Sequence, residues 1–141
     1  MKIRTWALIA LSVAFAACGG DGGNADQADN GEGIGRFAGK QIAPFDASLV
    51  AQGQAVFQSK CSACHKVTDQ KVVGPGLKGV TARRKPQWVL NMMTNPLEMT
   101  QKDPTAQELL ATHLTQMANQ NVTDDEGMAI LNFLRSNDGA K

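Results

Sequence analysis

The apolar positions of this chain recur at helical spacings. Leu49, Gly53 and Phe57 are four residues apart and share one helix face, with Asp46 or Ser48 as the cap. This first helix runs into Cys61. Residues 66–80 carry Gly74-Pro75-Gly76 and Gly79 and read as loop. Pro86 suits the first turn of a short helix bearing Trp88, Val89 and Met92, and Pro96 ends it. Asp103-Pro104 opens another helix, with Leu110, Leu114 and Met117 as its apolar stripe. Thr123 and Glu126 form a capping box before a last amphipathic helix with Ile130, Leu131, Phe133 and Leu134. Gly127 inside that helix costs about 1 kcal/mol relative to alanine, so close packing is its expected reason. No stretch alternates with period two and no repeat is visible. The pattern predicts one all-α domain over residues 44–141.

The chain before that domain reads differently. Lys2 and Arg4 precede an apolar run at 6–15, too short to span a bilayer comfortably. Phe15-Ala16-Ala17-Cys18 resembles a bacterial lipoprotein signal. Residues 1–17 are then the signal and Cys18 the acylated first residue of the mature chain; the alternative is an ordinary secretory signal cut near Ala17. Residues 18–43 are rich in glycine and acids, with no hydrophobic period. They are expected to form a flexible linker with a reach of roughly 25 Å. Two or more acyl chains on Cys18 would anchor the domain to a membrane. The chain would be exported, on the periplasmic or outer face of the membrane.

Composition limits what the domain can bury. Aromatic residues make up 5% of the 141 residues, and there is no tyrosine. So small a core gains from an apolar prosthetic group, and one motif supplies the means. Cys61-Ser62-Ala63-Cys64-His65 has the spacing for covalent attachment of a c-type haem. Both thiols can add to vinyl groups, and the histidine can offer a nitrogen to the iron. A thioredoxin-like site shares the cysteine spacing but needs alternating strands and helices. A structural zinc site needs four ligands, and Cys61, Cys64 and His113 supply three.

With these elements in place, residues 46–136 resemble the class I, small monohaem c-type cytochromes. Gly53 and Phe57 match that family's N-terminal helix, and Phe133 the aromatic of its C-terminal helix. The resemblance implies that these helices cross around a single covalently bound haem c, with glycine under the aromatic ring. Val73-Gly74-Pro75-Gly76-Leu77 is similar to the loop after the haem motif, which gives Pro75 the carbonyl that braces His65. Trp88 is similar to an aromatic at the haem edge, often near a propionate. Residues from Trp88 through Asn95-Pro96 to 117–121 are loosely similar to cytochromes serving nitrous-oxide reductase or cytochrome oxidase.

His65 leaves a sixth iron position to fill. The candidates are Met92, Met93, Met99, Met117, Met128 and His113. The family's methionine lies in a loop just before the final capped helix, which selects Met117, although Ala118 stands where proline usually follows. Met99, between two prolines in an expected loop, competes with it. His113 would complete a bis-histidine site. Met92, Met93 and Met128 read as core.

Two fixed ligands leave no site for a substrate. The reading is therefore an electron carrier rather than an enzyme, passing single electrons along a respiratory chain from a quinol-oxidising complex to a terminal reductase or oxidase. The alternatives are a haem enzyme or sensor with an exchangeable sixth ligand, and a fixed haem subunit of a larger complex. Residues 60–85 carry seven basic residues and one acid, while acids dominate beyond 104. That asymmetry favours docking of an acidic partner, against the alternative of an ordinary solvated surface. The protein is expected to be monomeric, with no nucleic acid and no small-molecule substrate among its partners.

Overall fold

The computed structural model describes residues 30–141. Among them there is no strand. A 3-10 turn, Ala47–Leu49, leads into helices α1 (Val50–Lys60), α2 (Val80–Arg83), α3 (Pro86–Thr94), α4 (Pro96–Lys102), α5 (Pro104–His113) and α6 (Asp124–Asn137). Asp46 caps the turn, accepting from the Ser48 amide at 2.9 Å. The capping box of α6 closes in both directions, Glu126 N to Thr123 Oγ1 at 3.2 Å and Thr123 N to Glu126 Oε2 at 2.9 Å.

Helices α1 and α6 cross with backbones nearly touching. A Cβ at Gly53 would overlap the carbonyl oxygen of Ala129 and crowd the Cβ of Phe133. The Phe57 and Phe133 rings lie beside this crossing with centroids 5.5 Å apart. Gly127 is also explained by packing: a Cβ there would stand 3.2 Å from Leu90 Cδ2 on α3. Leu90, Met99, Ile130 and Leu131 form the fully buried centre.

The expected linker must be corrected where it can be seen. Residues 30–43 form a strap packed on the domain, not a free coil. Phe37 is buried, and its amide donates to Asn91 Oδ1 at 3.0 Å. The Asn91 amide in turn donates to the Glu32 carbonyl at 3.0 Å. Arg36 pairs with Asp124 and reaches the Val122 carbonyl. Hydrogen bonds from buried side chains hold this segment, so its lack of hydrophobic period did not forbid order. The folded part therefore includes residues 30–43 rather than beginning at 44. Residues 1–29, with the expected signal and Cys18, lie outside the described residues.

Two further expectations change. Pro96 ends α3 but also starts α4, since a proline that cannot continue one helix is well placed in the first turn of the next. Met99 is thus on a helix, not in a loop. The stripe Leu110, Leu114, Met117 is broken, because α5 stops at His113. Leu114 takes a left-handed φ of 54° as its C-cap and is 85% exposed. The short helix α2 begins at Val80, the last residue of the expected loop.

Candidate haem site

The end of α1 builds one wall of the site. The Cys61 amide closes the helix on the Phe57 carbonyl at 2.9 Å. Cys64 and His65 then both return their amides to the Cys61 carbonyl, at 3.1 and 2.9 Å. This turn gathers the two sulfurs and the imidazole. The following loop folds back under them, with the Gly74 amide on the Cys64 carbonyl at 3.0 Å and the Leu77 amide on the Lys66 carbonyl at 2.8 Å.

His65 Nδ1 lies 2.9 Å from the carbonyl oxygen of Pro75. A carbonyl can only accept, so Nδ1 carries the proton and the Nε2 lone pair is left for a metal. The loop passes so close that a Cβ at Gly74 would overlap the His65 ring.

Cys61, Cys64, His65, His113 and Met117 all line one cavity of about 420 Å³. Its other walls are mainly apolar, among them Phe57, Val80, Trp88, Val89 and Ile130. Neither cysteine is in a disulfide. Burial pushes the Cys61 thiol up to about 11, the opposite of what an attacking redox thiol needs. Among the described residues no cluster of three or more histidines, cysteines or acids could hold a metal ion by itself.

The other ligand candidates separate by position. Met99 is fully buried in the core, away from the cavity, and its sulfur accepts from the Ile34 amide at 3.0 Å. Met128 packs against the core and does not line the cavity. Met92 and Met93 line the cavity from helix α3. Met117 lines it from the loop that precedes α6. Gln116 holds that loop: its Oε1 is 2.8 Å from Thr100 Oγ1, and its amide donates to the Met117 carbonyl at 3.2 Å. Thr100 and Gln116 are sixteen residues apart with no shared pattern, so no sequence signal joins them.

Trp88 lines the cavity with its ring, but its N–H is committed to Asp103 Oδ1 at 3.0 Å. Asp103 also caps α5 through the Ala106 amide at 2.8 Å. The indole nitrogen is therefore not left for a propionate. The Arg84 guanidinium lies 5.3 Å above the Trp88 ring, and Arg83 and Arg84 both line the cavity.

His113 adds an observation that sequence could not supply. Its Nδ1 is the only buried side-chain nitrogen or oxygen among the described residues without a hydrogen-bond partner. Burial first, then the charges of Lys71 and His65, holds this imidazole below the usual histidine pKa.

An apolar cavity walled by unpaired cysteines, a braced imidazole and a thioether fits a c-type haem in its lining and donor chemistry. A family model described as "Cytochrome c" matches residues 50–138. The chain is 33% identical to a cytochrome c from Rhodothermus marinus of solved structure, with a TM-score of 0.70, covering 77% of this chain and 93% of that one. An engineered form of the Rhodothermus protein bound to a carbene intermediate superposes with a TM-score of 0.68 at 32% identity, covering 78% of this chain and 96% of that one. A cytochrome c-553-like protein of Synechocystis is 32% identical over 60 residues, 41% of this chain. The chain spans 57% of the length of that relative.

The chain belongs to the cytochrome c family. Membership implies a covalently bound haem c and supports a haem-based electron carrier.

Proposed function

We propose that this protein is a membrane-tethered monohaem cytochrome that carries single electrons to a terminal reductase or oxidase. Cys61 and Cys64 would bind the haem through thioethers, and His65 and Met117 would be the axial ligands. The bound haem supplies one-electron exchange between ferric and ferrous iron. The observation that carries the reading is the placement of a Pro75-braced His65 and the loop residue Met117 on one apolar cavity.

The residues around the haem have separate tasks. Pro75 holds the His65 ring in one orientation and keeps its Nε2 lone pair available. Phe57, Val89 and Ile130 keep water away from the iron. The ring of Trp88 shields one edge. Arg83 and Arg84 are suited to haem propionates, since guanidinium matches carboxylate geometry. A thioether opposite histidine raises the reduction potential relative to two histidines, which suits delivery to a high-potential acceptor.

Cys18 would carry the lipid, with the domain on the periplasmic or outer face of the membrane. With residues 30–43 packed on the domain, the twelve steps from Cys18 to Asn30 span at most about 40 Å fully extended. Docking of an acidic partner would use the basic residues between 60 and 85. Lys60 and Lys85 are partly neutralised, at 2.8 Å from Glu126 and 3.7 Å from Glu32, which leaves Lys66, Lys71 and Lys78 as the cations to test.

The test is the ferric spectrum of the purified holoprotein. It should show the weak red band of methionine on ferric iron, lost in Met117→Ala and kept in Met99→Ala. A wild-type protein without that band would refute the axial assignment.

A further inference from the structure

We infer that Asp138, the C-cap of α6, is a remote positioning residue for the axial histidine: it holds the loop whose Pro75 carbonyl braces His65. The inference rests on the reading of His65 as an iron ligand.

The first support is an acid in the wrong place for its own helix. The C-terminal end of a helix carries partial negative charge, so a carboxylate is disfavoured there. Asp138 nevertheless follows the last residue of α6. Its charge is used elsewhere. Oδ1 accepts from the Gly79 amide at 2.6 Å. Oδ2 accepts from the Thr81 amide at 3.0 Å and from the Thr81 hydroxyl at 2.7 Å. Burial pushes this carboxyl up, but the hydrogen bonds from Thr81 and Gly79 outweigh it and hold it below the usual aspartate range. Gly79 N-caps α2 with a left-handed φ of 69° and has no side chain to accept from that helix's first amides. Asp138 takes over that task from 59 positions away.

The second support is what lies between the anchored points. Asn137, beside Asp138, donates to the Val67 carbonyl at 3.0 Å. The arms of the loop are also bonded to each other, the Leu77 amide to the Lys66 carbonyl at 2.8 Å and the Lys78 amide to the Thr68 carbonyl at 3.2 Å. At Gly76 they run so close that a Cβ would overlap the backbone of Thr68 and Asp69. Adjacent residues at the end of α6 therefore pin both arms, one through Val67 and the other through Gly79 and Thr81. Pro75 stands between those pins. Among the described residues, Asn137 and Asp138 are the side chains from beyond α2 that reach this loop by hydrogen bond.

The consequence runs through His65. The Pro75 carbonyl fixes the ring and raises the basicity of the imidazole. A loop released at Gly79 lets that carbonyl move off Nδ1. The imidazole then gives less electron density to the iron, ferric iron is less favoured, and the potential rises.

The experiment follows exchange of the His65 Nδ1 proton into heavy water by nuclear magnetic resonance of the reduced holoprotein, with the reduction potential measured on the same samples. Asp138→Asn keeps the volume but turns an amide donor toward the donors of Gly79 and Thr81. Exchange should be at least about tenfold faster than in wild type, the scale for losing a hydrogen bond to a charged group, and the potential should be higher. Thr81→Val removes one of the three bonds and should shift both readings the same way by less; it carries the comparison if Asp138→Asn loads haem poorly. Phe37→Ala weakens the domain without touching the loop and should match wild type in both readings. Variants at Asp138 and Thr81 that both match wild type overturn the inference. Equal acceleration in Phe37→Ala also overturns it, because general stability and not the clasp then governs the brace. Wild-type His65 ring protons without the large haem ring-current shift of an axial imidazole would refute His65 as the ligand, and the inference fails with that reading.

Discussion

His65 and Pro75 are joined by a hydrogen bond of 2.9 Å that decides which imidazole nitrogen is free. The bond depends on the glycine between the histidine and its acceptor. A Cβ at Gly74 would overlap the His65 ring, so Gly74→Ala must displace either the ring or the loop that braces it. The yield of low-spin holoprotein should fall about tenfold or more, the usual scale for losing an outer brace of a metal ligand. Visible spectra of purified Gly74→Ala and wild type, normalised to protein, check this.

Gly53 and Gly127 both sit on the helix pair at the heart of the fold, yet they should respond very differently to substitution. At Gly53 the added methyl meets the backbone of Ala129, which cannot swing aside. Gly53→Ala should cost about 3 kcal/mol or more by overpacking. At Gly127 the nearest atom is the end of the Leu90 side chain, 3.2 Å away. Gly127→Ala also gains about 1 kcal/mol of helix propensity, so its net effect should lie within about 1 kcal/mol of zero. Denaturant unfolding of both holoproteins separates the two.

Phe37 tests the strap. Its ring is 5% exposed, with Arg36 and Lys40 cations 5.5 and 5.4 Å from its centroid. Phe37→Ala should destabilise the domain by about 3 kcal/mol, the scale for emptying a buried aromatic site. A free linker would give no measurable change.

Much of the fold could be read along the chain because local rules carried it. Asp103-Pro104, the Thr123 and Glu126 box and the Gly53, Phe57 and Phe133 set act through neighbours or through one helix face, and each stands where expected. The strap could not be read this way. Its order comes from Asn91, a polar residue on an apolar helix, which bonds Phe37 and the Glu32 carbonyl across more than fifty positions. Helix α4 was hidden because a proline reads equally as a stop and as a start. At the site, Cys61, Cys64, His65 and Pro75 lie within fifteen residues and were legible. The orphaned His113 nitrogen and the hold of Thr100 on Gln116 arise only when distant helices meet.

Thr100 should set how firmly Met117 is held. Its hydroxyl is buried 2.8 Å from Gln116 Oε1, beside the proposed ligand Met117. Thr100→Val removes a hydrogen bond worth about 1 kcal/mol. Added imidazole should then abolish the red methionine band of the ferric protein at roughly fivefold lower concentration than in wild type. Thr100→Ser keeps the hydroxyl and should behave as wild type. A spectrophotometric imidazole titration of the three proteins measures the midpoints.

A closed electron carrier has both axial positions filled by its own side chains. The most direct measurement is exposure of the reduced wild-type holoprotein to carbon monoxide at neutral pH, followed by its visible spectrum. With His65 and Met117 both on the iron, the spectrum should stay unchanged. Prompt, stoichiometric formation of a carbon monoxide complex would contradict the closed site and with it the role of simple electron carrier.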